Sequence, residues 1–293
     1  MRLRVALTQW HATADVAANL ALACGIVREA APERPDLVLL PENGLCLGTN
    51  AEMRARALEA AGPELAALGA AARAADAVVV LGGFKRRVAG DALVRNTAAV
   101  FDRDGRLAAC YDKIHLFDAS VGGMTFAASS VERAGDRPLL VEIAGATVGV
   151  TICYDVRFPE LYRTLALAGA EVLLVPSAFT FVTGTAHWEV LLRARAIENG
   201  AFVVASATVR GEGDAFETFG HALVVGPWGD VRADLGDAPR AWTVVELDLD
   251  EVAAARRRLP VLAGVRPAAS TAAPARVILG EHGTERRADA EPA

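Results

Sequence analysis

The stretch from Val148 to Leu161 constrains the fold most. Val148, Gly149, Val150, Thr151 and Ile152 are β-branched apart from the glycine and nearly all apolar, which suits a buried strand. Pro159 then stands where the first turn of a helix accepts it, because its missing N–H would have no partner there. Glu160 adds negative charge near the same helix N-terminus. Cys153 is thus expected at the carboxyl end of a strand and close to a helix start, where open α/β sheets place ligand sites. Local N–H groups and the helix dipole there would favour a thiolate. A small buried hydrophobe is the plainer reading of such a cysteine, and this stretch alone leaves both open.

The surrounding pattern is β/α alternation. Leu3 to Gln9 reads as a strand, and Asp15 caps a helix running to about Ala30. Asp36 to Leu40 is a short strand stopped by Pro41-Glu42-Asn43-Gly44. A helix over about 63–75 follows, entered through Gly62-Pro63, and then a strand over 77–83. Residues 96–101 and 106–112 read as two strands joined by Asp102-Arg103-Asp104-Gly105, a hairpin signal, so the sheet is mixed. Residues 118–135 lack periodicity and read as a long loop around Gly122-Gly123. Strands over 139–143 and 146–152 lead into the cysteine. The helix after it runs to Leu167, a strand covers 171–175, and a helix covers 187–199. Further strands fall at 201–207, about Leu223 to Val225, from Val231, and 242–247, and a short helix at 251–259. The domain is expected to span 1–266. Residues 267–293 are Ala-, Arg- and Pro-rich and read as a partly disordered tail, in which Val277-Ile278-Leu279 is an apolar docking candidate.

Composition narrows the function classes. The 293 residues are 53% hydrophobic, enough for a sizeable core. A net charge of -6 argues against nucleic acid or an anionic membrane as the main partner. Arg256-Arg257-Arg258 reads as a solvated helix end. Cys24, Cys46, Cys110 and Cys153 form no CxxC pair and no zinc-like spacing, so no metal is expected; Cys24 and Cys110 read as core thiols. This usage fits a reducing cytoplasm. The N-terminus reaches Thr8 and Gln9 too early for a signal segment, and no apolar run is long enough to span a membrane.

Three polar residues follow buried strands: Glu42, Lys113 and Cys153. A thiol needs a base, a buried carboxylate can shuttle a proton, and an ammonium can stabilise an oxyanion. Spacing alone does not place them together. The segments that carry them are Leu39-Leu40-Pro41-Glu42-Asn43, Tyr111 to Asp118, and Ile152 to Glu160. With Ala186 to Asn199, and with Gly220-His221 and Pro227-Trp228-Gly229, they resemble the nitrilase superfamily of carbon–nitrogen hydrolases, in the family's order over about 3–267. The branch most similar is that of ω-amidase and deaminated-glutathione amidase.

The resemblance implies an α/β fold, a four-layer αββα sandwich with mixed sheets, in protomers that pair as homodimers or higher homo-oligomers. It implies no cofactor. Cys153 would attack the carbonyl of a small carboxylate-bearing amide, Glu42 would act as base and acid, and Lys113 with the Tyr154 N–H would hold the oxyanion. Ammonia would leave a thioester that water then hydrolyses. Arg157, Phe179 and Tyr154 are candidates for shaping the pocket, and Arg157 for the substrate's acid end or an ion pair within the fold. An N-carbamoyl amidohydrolase with the same triad is the alternative. The resemblance departs at Ala128, where this branch carries a second glutamate; a weakly active or non-catalytic relative is the reading this departure supports. Glu132 lies four residues on and is expected to be an exposed loop acid, although a rearranged loop would bring its carboxylate into the site. His115, His187 and His221 read as structural.

Overall fold

The computed structural model describes residues 1–266; the tail and its Val277-Ile278-Leu279 run lie outside them. Met1–Leu262 form one compact unit. Its first sheet is built from β1 (Arg2–Trp10), β2 (Leu37–Leu39), β3 (Val78–Arg86), β4 (Arg95–Phe101) and β5 (Leu107–Asp112). A separate hairpin follows, β6 (Asp118–Val121) and β7 (Met124–Ala127). The second sheet takes β8 (Leu139–Ile143), β9 (Ala146–Val150), β10 (Val172–Leu174) and β11 (Phe202–Ala205). Then β12 (Ala207–Thr208) returns to the first sheet, β13 (Leu223–Val225) and β14 (Val231–Asp234) extend the second, and β15 (Arg240–Asp248) pairs antiparallel along β1. The orders are β12-β1-β2-β3-β4-β5 and β14-β13-β11-β10-β9-β8. Each sheet has parallel strands at its centre, β1-β2-β3 and β9-β10-β11, and antiparallel pairings beyond them, except that β12 runs parallel to β1.

The layering follows from the two-residue period of the strands. Leu3, Val5 and Leu7 of β1, Leu37 and Leu39 of β2, and Val80 of β3 join the cluster that contains Val148 and Val150 of β9. Ala6, Val38, Val79 and Leu81, facing the other way, join a cluster with Ile26 and Val27 of α1 (Val16–Ala30) and Leu65 and Leu68 of α3 (Pro63–Ala75). On the far side, Tyr162 and Leu165 of α4 (Pro159–Leu167) and Trp188 and Leu192 of α5 (Phe181–Asn199) pack on the second sheet. Helices therefore cover the outer face of each sheet, and the sheets face each other. Burial on both faces explains why these strands read as continuous apolar runs rather than alternating ones. The fold is the expected αββα sandwich.

Capping fixes the helix ends. Asp15 accepts from the Ala18 N–H at the start of α1. Pro63 and Pro159 open α3 and α4. Short α2 (Asn50–Ala55), absent from the sequence reading, starts at a capping box of Thr49 and Glu52. α6 (Asp250–Arg258) ends the sandwich.

Four expectations change. The 118–135 loop contains the β6–β7 hairpin, turning at Gly122 and Gly123 with φ of 58° and 77°; its strands are four residues each and at most half-buried, too short for their pattern to stand out. α5 begins at Phe181, not near 187, because Thr and Gly in its first turns hide the helical pattern. Cys110 is exposed, since β5 ends the sheet order. Of the run expected to be solvated, Arg257 and Arg258 are exposed, but Arg256 is half-buried, its guanidinium donating to the Ala170 and Asn199 carbonyls. Arg258 lies over the Trp228 ring, 4.3 Å from its centroid.

Candidate active site

Glu42 is set by a tight approach of two backbones. β2 ends at Leu39, Pro41 stops further pairing, and Asn43 adopts φ 53°. This turn lies directly on Gly82 and Gly83 of β3. A Cβ on Gly82 would come within 2.5 Å of the Pro41 carbonyl carbon, and one on Gly83 within 2.1 Å of Asn96 Oδ1. Only glycine allows that contact. The buried Glu42 carboxylate then accepts from Lys113 Nζ at 2.8 Å, Asn96 Nδ2 at 2.9 Å and the Ala178 N–H at 2.8 Å.

Lys113 follows β5. Its N–H donates to the Asn96 carbonyl, and its own carbonyl accepts from Gly135 N–H, so both flanks of the residue are pinned. Cys153 follows β9 through Thr151, whose hydroxyl is held by the Tyr162 hydroxyl and the Leu174 carbonyl. Cys153 adopts φ 47°, and its N–H donates to the Pro176 carbonyl. It opens a 3₁₀ turn, Cys153–Arg157, and α4 begins separately at Pro159. The sequence reading merged these two.

The structure thus brings Glu42, Lys113 and Cys153 to one cavity, and the Glu42 charge acts on the Cys153 thiol. Burial alone would raise the Glu42 pKa, but the Lys113 and Lys85 charges, with the hydrogen bond from Lys113 and the nearby Cys153 thiol, outweigh it and hold the carboxyl at about 2. Burial and the Glu42 charge push the Cys153 thiol up to about 12 against the pull of Lys113. Burial pulls Lys113 down, yet the negative charges of Glu42 and Glu132 leave it raised and firmly cationic. The resting site is therefore thiol, carboxylate and ammonium. The expectation of a dipole-favoured thiolate fails because α4 starts six residues past the sulfur, which lies buried against a carboxylate.

Asp155 joins two of these segments. Fully buried, it accepts from the Tyr111 hydroxyl at 2.7 Å, the Ile152 N–H at 3.0 Å, and the His115 N–H and Nδ1 at 3.0 and 2.8 Å. His115 stacks on Phe158 at 3.6 Å between centroids. The residues flanking Lys113 are therefore tied to those flanking Cys153, and His115 serves that tie rather than catalysis. Arg195 of α5 holds the elbow from behind, donating to the Val156 carbonyl at 2.8 Å.

The three residues open on a cavity of about 70 Å³. Its walls include Phe117, Phe126, Tyr154, Phe179 and Phe216. Arg157 stands among them, its guanidinium 5.0 Å from the Phe179 ring centre and 3.2 Å from His187 Nδ1. Burial lowers its pKa. Ala128 and Glu132 also line this cavity. Glu132 is buried, which overturns its expected exposure: its carboxylate lies 2.6 Å from Lys85 Nζ. The short 3₁₀ turn at Ala128–Ser130 carries Glu132 inward, its N–H donating to the Ala128 carbonyl. Lys85 escaped the sequence reading because the strand was ended at Gly83. A cation directly beyond an apolar run was its available signal. Among the described residues no group of His, Cys, Asp and Glu could hold a metal ion.

Residues 4–257 match the family model described as carbon-nitrogen hydrolase. The chain belongs to this family. A carbon–nitrogen hydrolase named deaminated glutathione amidase, from Synechocystis sp., is 38% identical over 261 residues, covering 88% of this chain and 96% of its own. Omega-amidase NIT2 of Homo sapiens is 36% identical over 264 residues, covering 88% and 93%. Among solved structures, the C. elegans NitFhit protein matches with a TM-score of 0.83 at 34% identity, over 90% of this chain and 65% of that one. The chain thus spans just under two thirds of the NitFhit length. As a carbon–nitrogen hydrolase the protein is an enzyme acting on C–N bonds other than peptide bonds.

Proposed function

We propose that this hydrolase is an amidase that cleaves the carboxamide of a small carboxylate-bearing amide through a Cys153 thioester. The observation that carries the reading is that buried Glu42 accepts from Lys113 and lines, with Lys113 and Cys153, one cavity with aromatic residues in its walls. The Cys153 proton passes to Glu42 as the sulfur attacks the carbonyl carbon. Lys113 and the Tyr154 N–H stabilise the oxyanion. When the C–N bond breaks, the proton on Glu42 goes to the departing nitrogen and ammonia leaves. Glu42 then takes a proton from water, which attacks the thioester, and the acid departs as the thiol is restored.

Arg157 supports a carboxylate on the substrate. It faces the cavity, it is cationic, and no carboxylate of the described residues pairs with it. Its stack on Phe179 orients the guanidinium. Omega-amides and deaminated glutathione, the substrates in the relatives' names, have such a carboxylate. The reading as a weak or non-catalytic relative rested on Ala128, and the Glu132 carboxylate in the same wall weakens that ground. No described helix is long and apolar enough to cross a membrane, and the mildly acidic chain with its free thiols suits the cytoplasm. Exposed Val182, Val190 and Ile197 on α5 support pairing of two copies through that helix.

A panel of α-ketoglutaramate, deaminated glutathione and N-carbamoyl amino acids, read by ammonia release, tests the reading. Activity on the amides that Cys153→Ala abolishes is expected. Full ammonia release by the variant would refute the thioester route, and carbon dioxide release from carbamoyl compounds alone would move the substrate class.

A further inference from the structure

A second buried ion pair stands beside the first, and the hydrolysis above does not use it. Lys85 Nζ is 2.6 Å from Glu132 Oε1, with side chains 6% and 3% exposed. Lys85 lies on β3 in register with Asn96 of β4, and Asn96 donates to the Glu42 carboxylate. Glu132 lines the cavity that Cys153 and Lys113 also line. The Lys85 charge acts on Glu42, and the Glu132 charge acts on Lys113. A buried ion pair is a weak source of stability, since a well-packed apolar pair does as well or better. Its position beside a nucleophile calls for an electrostatic role.

We propose that Lys85 and Glu132 are positioning residues that keep the buried charge of the active site balanced and so fix the electrostatic potential at Glu42 and the Cys153 sulfur. The proposal rests on the cysteine-hydrolase reading. In the resting site the negative charges of Glu42 and Glu132 face the positive charges of Lys113 and Lys85, and the thiol is neutral. When the thiol proton moves to Glu42 and the sulfur bonds to carbon, the negative charge passes from Glu42 to the substrate oxygen. The total is unchanged. Without Lys85, the unpaired Glu132 charge opposes both thiolate and oxyanion. Without Glu132, the unpaired Lys85 favours the thiolate and weakens Glu42 as a base. The other groups facing this cluster are Arg157 and Tyr162 near Cys153, and Cys46 near Lys85. None of them pairs with Lys85 or Glu132.

The test is the rate at which iodoacetamide alkylates Cys153 at pH 8, resolved from Cys24, Cys46 and Cys110 by peptide mass spectrometry. Lys85→Met, Glu132→Gln and the double variant are compared with the unaltered protein, with folding checked by circular dichroism. Below the thiol pKa the rate follows the thiolate fraction, and one neighbouring charge moves a buried pKa by about one unit or more. Lys85→Met is expected to slow alkylation about tenfold, Glu132→Gln to speed it about tenfold, and the double variant to return near the original rate. Should Lys85→Met fail to fold, Glu132→Gln and the double variant decide. A folded Glu132→Gln with an unchanged or slower rate, or a double variant no nearer the original than Glu132→Gln, overturns the proposal. The assay needs no substrate, so an unaltered protein that hydrolyses no amide would refute the proposed function and leave this result readable.

Discussion

Asp155 should govern both stability and the alignment of Lys113 with Cys153, and its two oxygens carry unequal burdens. Oδ2 accepts from the Tyr111 hydroxyl and the Ile152 N–H, both in residues no more than 1% exposed. Oδ1 accepts from the N–H and Nδ1 of His115, whose side chain is 25% exposed. Asp155→Ala strands two buried donors, each at about 1–3 kcal/mol, so the variant should lose about 2–6 kcal/mol, a large share of the ~5–15 kcal/mol of a folded domain. Asp155→Asn can keep its oxygen toward Tyr111 and Ile152 and turn its NH₂ toward His115. There it meets one N–H head-on, while His115 Nδ1 can accept as the other tautomer. That change should cost about 1–2 kcal/mol. Urea unfolding followed by fluorescence measures both, with the m-value checking that the unfolded state is comparable. Activity should fall in both variants, because the ties between the lysine and cysteine segments loosen. Equal losses for Ala and Asn, or losses under 1 kcal/mol, would refute the assignment of the two oxygens.

Other outcomes follow from the same geometry. Arg157→Met should raise KM for carboxylate-bearing amides by about 10- to 100-fold and leave neutral amides unaffected, as expected for losing a charge-assisted bond of ~1.5–3 kcal/mol; initial-rate kinetics on matched amides checks this. Ala128→Glu should lower kcat/KM by about tenfold or more rather than raise it, because it adds a carboxylate to a wall that already holds Glu132; the ammonia assay decides. Glu42 is depressed from an ordinary 4.5 to about 2, so its contribution to stability is full above about 4.5 and is lost as pH falls toward 2. Lys113 is raised, so its contribution is full below 10.5 and is lost as pH rises through its higher folded value. Thermal unfolding against pH should show a shallower acid limb for Glu42→Gln.

Much of the sandwich was legible because burial on two faces forces long apolar runs, and turn chemistry marks their ends. Asp15, Pro63 and Pro159 stand at helix starts, as their capping chemistry requires. What was not legible lacked that apolar signature. The β6–β7 ribbon is four residues a strand and nowhere buried, so the alternation of Asp118-Ala119-Ser120-Val121 is too short to stand out; Gly122-Gly123 signalled the turn. The start of α5 mixes Phe181 and exposed Val182 with Thr183, which lines the cavity, and Gly184, which lies so close to Phe219 that a Cβ would come within 2.3 Å of that ring, so no amphipathic pattern marks it. Cys153 was assigned to a helix start from Pro159 and Glu160, whereas a 3₁₀ turn intervenes, and with it the expected thiolate gives way to a buried thiol.

The charged residues divide along a related line. Glu42, Lys113 and Cys153 each end a segment of regular strand pairing, where the chain leaves the sheet and a polar group can face a cavity without breaking a ladder. Strand ends can be read from sequence, so these three stood out before any geometry. Lys85 lies inside β3, where sequence rules expect an apolar residue, and Glu132 lies just past a 3₁₀ turn, bridged to Val94, in a stretch where they expect exposure. Each residue alone violates a rule that the other makes tolerable, because a buried cation is stable only beside an anion. A pair joined across 47 positions of chain leaves no local trace at either end. Glu132 becomes intelligible only with Lys85, and Lys85 only with the Asn96 and Glu42 it lies against. The same dependence makes the pair separable by experiment: neutralising one partner exposes the other's charge to Cys153, with opposite sign, while neutralising both leaves the site's balance as it was.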